Sequence, residues 1–316
     1  MKKVIDFLKA QPLVTTIIAV SFIAISVRFL GAKMDNNLDG ALLRMGLAFA
    51  AMAFLYLISG SRTFDKCCGT TGYAFRILLP TLIFPLLGLV MGVIGCIQDK
   101  NPLRSDWPLQ LLILAFYSLS IGLLEEVTAR GILNDGPLYQ FRSNKKIFVI
   151  IAVVNVIVFG GIHLLGSSIT SPMELGLAVL KVLSSGIGGL CYLFIYWKTR
   201  NIWAVALSHG LYDFLLSVQE AFFDKSEAVK ASTNYVSLDG QEAGLGVAVL
   251  VLYAVDVIID VYTVPIAIHS VNVVNLIKTY HGLLQTISNQ KIVQKGGKKR
   301  GPNMGSYFSH DLHLIL

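Results

Sequence analysis

Long apolar runs separated by short polar segments recur along the chain, without the polar face that an amphipathic soluble helix needs. Ile77 to Gln98 carries no charge, nor does Trp107 to Leu124, and His163 is the one titratable side chain between Ile147 and Met173. A helix needs about 20 apolar residues to cross a hydrocarbon core about 30 Å thick. The pattern predicts eight transmembrane helices, near residues 12–30, 41–59, 77–97, 108–124, 147–165, 172–196, 202–218 and 244–268, with Gly, Pro and Asn punctuating the gaps. The expected fold class is therefore all-α, a polytopic integral membrane protein. No internal repeat is visible and no gap is long enough for a soluble domain. Residues 1–276 read as a single transmembrane domain and residues 277–316 as a basic, disordered tail.

Composition supports this reading and charge orients it. Of 316 residues 54% are hydrophobic and 14% charged, against about 25% charged in a soluble domain. A net charge of +7 raises the question of nucleic acid, but the basic residues form short clusters between apolar spans, the mark of topology. With the N-terminus in the cytoplasm, that side receives Lys2, Lys3, Lys9, Arg62, Lys66, Arg76, Arg130, Arg142, Lys145, Lys146, Lys198, Arg200 and the tail from Lys278 to Arg300. The other side receives Arg28, Lys33, Arg44, Lys100, Arg104, Lys225 and Lys230, together with a polar loop from Ala221 to Glu242. Both termini are expected to be cytoplasmic, in a bacterial plasma membrane, with the first helix retained rather than cleaved as a signal and the tail drawn to anionic lipid. Cys67, Cys68, Cys96 and Cys191 show no metal-ligand spacing, and His310 and His313 in the tail have no third ligand in view.

Ionisable residues within spans cost a few kcal/mol each and mark functional or paired groups. They concentrate in three places: Glu125-Glu126-Val127-Thr128-Ala129-Arg130, Phe159-Gly160-Gly161-Ile162-His163, and His209-Gly210-Leu211-Tyr212-Asp213. Glu125 and Glu126 lie as far before the basic turn Arg142 to Lys146 as His163 lies beyond it. Helices on both sides would bring all three to one level, about 25 Å from that turn. The helix before the turn is then too long to stand upright, and a break or tilt is expected at Gly131 or at Gly136-Pro137. His209 fits less well, at about 15 Å from Lys198 and Arg200. Glu126 with Arg130, and His209 with Asp213, are i and i+4 pairs that share a helix face. Two imidazoles and a glutamate around a water-sized space can activate water and stabilise a tetrahedral intermediate, the chemistry of amide hydrolysis.

The order Glu-Glu-x-x-x-Arg-Gly, Phe-x-x-x-His and His-x-x-x-Asp on successive late spans resembles the CPBP family, which includes type II CAAX prenyl endopeptidases and bacteriocin-processing and immunity proteins. The resemblance covers residues of about 108–220. It implies an eight-helix bundle enclosing an intramembrane cavity. It also implies that Glu125 and His163 activate water, that Glu126 and Arg130 organise the site, and that His209 with residue 213 forms the oxyanion hole. Asp213 stands where Asn is common in the family, and Ala129 where a bulky apolar residue often precedes the Arg. The implied substrate is membrane-associated, either a prenylated protein near its C-terminus or a leader or bacteriocin-like precursor peptide. Many family members are described as metalloproteases, and Glu125, His163 and His209 form a possible zinc set with an open position. With no His-Glu-x-x-His helix in the sequence, a metal-free glutamate mechanism is favoured. Asp213 is read as a charged partner of His209 rather than a protonated donor.

Other readings stay open: a buried network that only fixes helix packing, a non-proteolytic immunity or partner-binding protein on the same fold, and a transporter. Asp256 and Asp260, at i and i+4 in the last span, carry the transporter reading, and pairing with Lys181 is the preferred alternative. A transporter would be expected to show repeats. Glu174 reads as a helix N-terminal charge.

Overall fold

The computed structural model describes residues 2–31, 33–34, 36–64, 70–141, 146–164, 169–224 and 243–269. Lys66, Cys67, Cys68, Arg142, Lys145, residues 225–242 of the polar loop and the whole tail lie outside the described residues, and so do the expectations placed on them. The helices are α1 (Lys2–Ala10), α2 (Pro12–Gly31), α3 (Asn37–Ser59), α4 (Thr71–Leu78), α5 (Ile83–Gln98), α6 (Trp107–Glu126) and α7 (Leu133–Gln140). They continue with α8 (Ile147–Ile162), α9 (Pro172–Thr199), α10 (Ile202–Ser217), α11 (Gln219–Phe222) and α12 (Ala243–His269). Six stretches are long and apolar enough to cross a membrane: Pro12–Gly31, Asn37–Ser59, Thr71–Gln98, Trp107–Gln140, Pro172–Thr199 and Val249–His269. The shorter apolar helices Ile147–Ile162 and Ile202–Ser217 complete the eight-span pattern. The protein is an all-α polytopic membrane protein. Leu112, Val149 and Ile157 point outward, each more than 60% exposed, as a lipid-facing surface requires.

The fourth span departs from its expected form. It does not end near Leu124 but runs 34 residues from Trp107 to Gln140. Gly136-Pro137 does not interrupt it; the adjustment is a single wide, π-helical turn at Val127–Ile132 between α6 and α7, which contains Gly131. Both glycines also serve packing. A Cβ on Gly131 would stand 2.6 Å from Leu55 Cδ2, and one on Gly136 3.0 Å from the Pro12 carbonyl oxygen, so these positions let α3 and α2 lie close against the long helix.

α6 packs on α3 and α10, and α9 packs on α8 and α12. The α6–α10 crossing is a backbone contact: a Cβ on Gly122 would be 2.5 Å from the Ala206 carbonyl oxygen and 2.6 Å from the Gly210 nitrogen. Small residues at a crossing are how membrane helices approach without a hydrophobic drive between them. Gly122 lies one turn before Glu126 and Gly210 next to His209, so this contact sets the distance between two of the site's residues. α9 opens with a capping box in which Glu174 accepts from the Thr170 and Ser171 backbone N–H groups at 2.7 and 3.0 Å. The helix-terminal role read for Glu174 is therefore the one it plays.

A second polar cluster lies farther along the same helices. Arg200 holds the Asp135 carboxylate with two hydrogen bonds of 2.9 and 2.7 Å, Tyr196 donates to Asp135 at 3.2 Å, and Trp197 Nε1 donates to Asn134 at 2.6 Å. Arg200, counted on the cytoplasmic side in the sequence reading, is held in an ion pair. It is 8% exposed and sits in the left-handed region at φ 53° where α9 turns into α10. Its burial also removes the difficulty over the depth of His209. Asp135 lies nine residues beyond Glu126 and Arg200 nine residues before His209, about 13 Å of helix in each case, so pairing at one level carries through to the other.

Candidate active site

Glu126 closes α6, and its side chain is fully buried. Arg130, four residues on within the wide turn, is also fully buried and approaches it with Nε 3.1 Å from Glu126 Oε2. The Arg130 guanidinium donates to the Gly189 carbonyl oxygen of α9 at 2.9 Å and lies 4.1 Å from the centre of the Phe159 ring. An isolated charge at this depth would be strongly disfavoured, and these contacts answer it from three helices. The other Glu126 oxygen receives His209 Nδ1 at 2.7 Å. Glu126 thus joins Arg130 to His209, a link that the i,i+4 spacing alone did not reveal.

Glu125 points to a different place. Its Oε2 atom is buried without a hydrogen-bond partner and lies 3.9 Å from His163 Nε2 and 3.8 Å from His209 Nε2. Asp213 Oδ2, also buried without a hydrogen-bond partner, is 3.7 Å from the same His209 nitrogen. Asp213 faces His209 at an ion-pair distance, since 3.7 Å is too long for a hydrogen bond, and the near partner of the imidazole is Glu126. His163, at the end of α8, has Nδ1 2.6 Å from the Phe159 carbonyl oxygen. A carbonyl only accepts, so Nδ1 carries a proton, and in the neutral form of the ring Nε2 is the acceptor that faces Glu125. The same argument at Glu126 places a proton on His209 Nδ1. Three helices, α6, α8 and α10, therefore aim Glu125 Oε2, both Nε2 atoms and Asp213 Oδ2 at one small volume.

Sequence reading did not single out the residues that hold these groups in place. Tyr192 of α9 stacks on His209, with ring centres 5.3 Å apart. Gly189 gives Arg130 its carbonyl, and a Cβ there would stand 2.9 Å from the guanidinium. The only signal in the sequence was the run of small residues from Ser184 to Gly189 in an otherwise bulky span.

Two cavities meet at this point. One of about 350 Å³ is lined mainly by apolar side chains of α2, α6 and α8, with Glu125 and His163 in its wall. The other, about 90 Å³, is polar and lies on the far side of Phe159 and His163, walled by His209, Asp213, Lys181, Ser184, Tyr212, Asp256 and Asp260. Asp256 accepts a short hydrogen bond from Ser184 and another from Tyr212 at 3.4 Å. Lys181 packs over the Tyr253 ring at 5.4 Å. Among the described residues no N···O contact within 4 Å joins Lys181 to either acid; Lys181 acts on Asp256 at longer range, and the carboxylate takes its hydrogen bonds from hydroxyls.

The zinc set was tested against this geometry. Zinc holds oxygen and nitrogen ligands at about 2.0–2.2 Å in a tetrahedron, which leaves neighbouring ligands about 3.3 Å apart. The separations of 3.8 and 3.9 Å from Glu125 to the two imidazoles are wider, and among the described residues no group of three or more His, Cys, Asp or Glu is disposed to hold a metal. A water 2.8 Å from Glu125 and from either nitrogen would see them at about 85°, a strained but ordinary hydrogen-bond arrangement.

Paired and unpaired carboxylates, two imidazoles and a buried guanidinium within a polytopic bundle define a membrane-embedded protein with a polar reaction-type site inside its spans. Residues 107–215, which hold all six of these side chains, match the model of the family described as type II CAAX prenyl endopeptidase Rce1-like, in keeping with the CPBP resemblance read from the three motifs. No curated protein and no solved structure matches the chain.

Proposed function

We propose that the protein is an intramembrane endopeptidase that hydrolyses a peptide bond in a membrane-associated substrate with water activated by Glu125 and His163, and with no resident metal. The observation that supports this most directly is Glu125 Oε2, which lacks a hydrogen-bond partner and stands between two imidazole Nε2 atoms at the junction of an apolar and a polar cavity. Water held by Glu125 and His163 gives its proton to Glu125 as its oxygen bonds to the substrate carbonyl carbon. The carbonyl oxygen becomes an oxyanion, and His209 as an imidazolium donates Nε2–H to it while Glu126 and Asp213 answer the imidazolium charge. Glu125 then passes its proton to the leaving nitrogen as the C–N bond breaks. The apolar cavity suits a lipidated or hydrophobic segment, in a prenylated protein or in a leader or bacteriocin-like precursor. Purified protein in detergent is expected to cleave members of a quenched library of apolar peptides, and the proposal fails if no member is cleaved.

Chelation separates the two mechanisms. Prolonged treatment with a strong chelator is expected to leave turnover unchanged. Loss of turnover that zinc restores would replace the glutamate mechanism with a metal-dependent one.

Asp213 is assigned the role of charge partner to His209 across 3.7 Å. Asp213→Asn is then expected to lower turnover about ten-fold or more, in line with loss of an orienting charge. An Asn variant whose rate and pH profile match wild type would show instead that residue 213 acts as a hydrogen-bond donor.

For orientation, we infer cytoplasmic termini in a bacterial plasma membrane, from the distribution of basic residues. Reporter fusions after Lys298 are expected to report cytoplasm and fusions near Ser232 the opposite face. A reversed result at either position would refute the assignment.

A further inference from the structure

The polar cavity carries more negative than positive charge, and the hydrolytic scheme makes no use of the excess. Its wall holds three carboxylates, Asp213 of α10 and Asp256 and Asp260 of α12, against two cations, Lys181 of α9 and the His209 imidazolium. Asp213 faces His209 at 3.7 Å. Asp256 and Asp260 are 2% and 3% exposed, within the apolar span Val249–His269, where an unanswered charge is strongly disfavoured. Their environment is set by the packing of α9 on α12. Ser184 stands against Asp256 and Gly188 against Asp260, one turn farther along each helix, so the two helices run in the same direction here. Ser184 and, from α10, Tyr212 at 3.4 Å both donate to Asp256 Oδ2, the pattern of an ionised carboxylate. Asp256 Oδ1 is buried without a hydrogen-bond partner. Gly188 offers Asp260 no hydroxyl, and a Cβ there would stand 2.7 Å from Asp260 Oδ2.

We propose that Asp256 and Asp260, with the hydroxyl oxygens of Ser184 and Tyr212, bind one exchangeable alkali-metal cation in the polar cavity. Carboxylate and hydroxyl oxygens are hard ligands and select hard cations. A divalent ion of that kind takes about six to eight oxygens, and among the described residues no group of three or more His, Cys, Asp or Glu is disposed to hold one. One positive charge matches the excess in the cavity wall. The volume of about 90 Å³ admits a small ion and the waters that complete its shell. Bound there, the ion ties α12 to α9 and, through Tyr212, to the helix that carries His209 and Asp213. It stands apart from the water held by Glu125 and His163, so the hydrolytic scheme requires nothing of it.

The test follows thermal unfolding of the full chain in detergent, first in N-methylglucamine chloride and then with sodium or potassium chloride replacing it at constant ionic strength. For wild type, at least one of the two salts is expected to raise the unfolding temperature saturably, by about 3 °C at about ten times its Kd. Glu125→Gln is expected to respond as wild type does. Asp256→Asn and Asp260→Asn are expected to lose the response. Ser184→Ala keeps both carboxylates and decides the matter if the acid variants do not fold: its half-saturating salt concentration is expected to rise about ten-fold. None of these readouts depends on turnover, so the ion site and the hydrolytic reading stand or fall separately. An unfolding temperature equal in all three salts would overturn the proposal. So would a response left intact by the Asp256, Asp260 and Ser184 substitutions, since the ion would then be bound elsewhere. Stabilisation of wild type by acid whatever the salt, with both Asn variants at least as stable as wild type, would also overturn it, because the two acids would then be holding a proton.

Discussion

Glu125→Gln is expected to lower turnover by about 10²- to 10⁴-fold, the usual contribution of a positioned general base, while leaving the protein folded. Glutamine keeps the size of the side chain and a carbonyl oxygen that can still hold water between the imidazoles, but it cannot take the proton. The contacts that anchor this part of α6 belong to Glu126 and Arg130, not to Glu125, so little stability should be lost. Peptide turnover and thermal unfolding in detergent, measured on the same preparation, check both halves. Retained turnover in a fully folded Glu125→Gln protein would remove Glu125 from the mechanism.

The largest loss of stability is expected one residue farther on. Glu126→Ala strips Arg130 of its counter-charge at a site where both side chains are fully buried, and leaves His209 Nδ1 without its acceptor. Removing one member of a buried ion pair typically costs about 3–5 kcal/mol, because the remaining charge stays desolvated. The expected result is a large fall in unfolding temperature together with loss of activity. Replacing both partners, Glu126→Leu with Arg130→Met, should recover much of the stability and none of the activity, since an apolar pair of similar volume is often tolerated in place of a buried ion pair. An unchanged unfolding temperature in Glu126→Ala would mean that solvent reaches Arg130.

The contrast between these neighbours shows what the sequence could and could not reveal. The eight spans were legible because a hydrocarbon core imposes length and apolarity on every crossing segment, whatever its tertiary contacts. The six site residues stood out because ionisable groups are scarce within such segments. Pair geometry was less visible. Arg130 and Glu126 share a helix face and so declare each other, but the bond from Glu126 to His209 joins residues 83 positions apart and leaves no spacing to read. The pairing of Arg200 was not legible because a tally of basic residues takes no account of a partner such as Asp135 on another helix. Lys181 was matched to Asp256 by charge alone, while the structure gives that carboxylate to Ser184 and Tyr212. The wide turn at Val127–Ile132 was legible only as a place, through Gly131 and the excess length of the span, and its π-helical form left no mark.

That turn has a consequence for how the chain tolerates change in length. One continuous helix must present Glu125 and Glu126 to α10 at one point, and Asn134 and Asp135 to the Trp197–Arg200 corner at another. Successive residues of an α-helix are offset by about 100°. Loss of a single residue anywhere between these two points would therefore turn one set of contacts by more than a quarter circle away from its partners. The extra residue accommodated by the π-helical turn acts as a phase corrector, keeping the reacting end and the anchoring end of one rod simultaneously in register. The number of residues in Val127–Ile132 is accordingly constrained as firmly as the buried Arg130 within it.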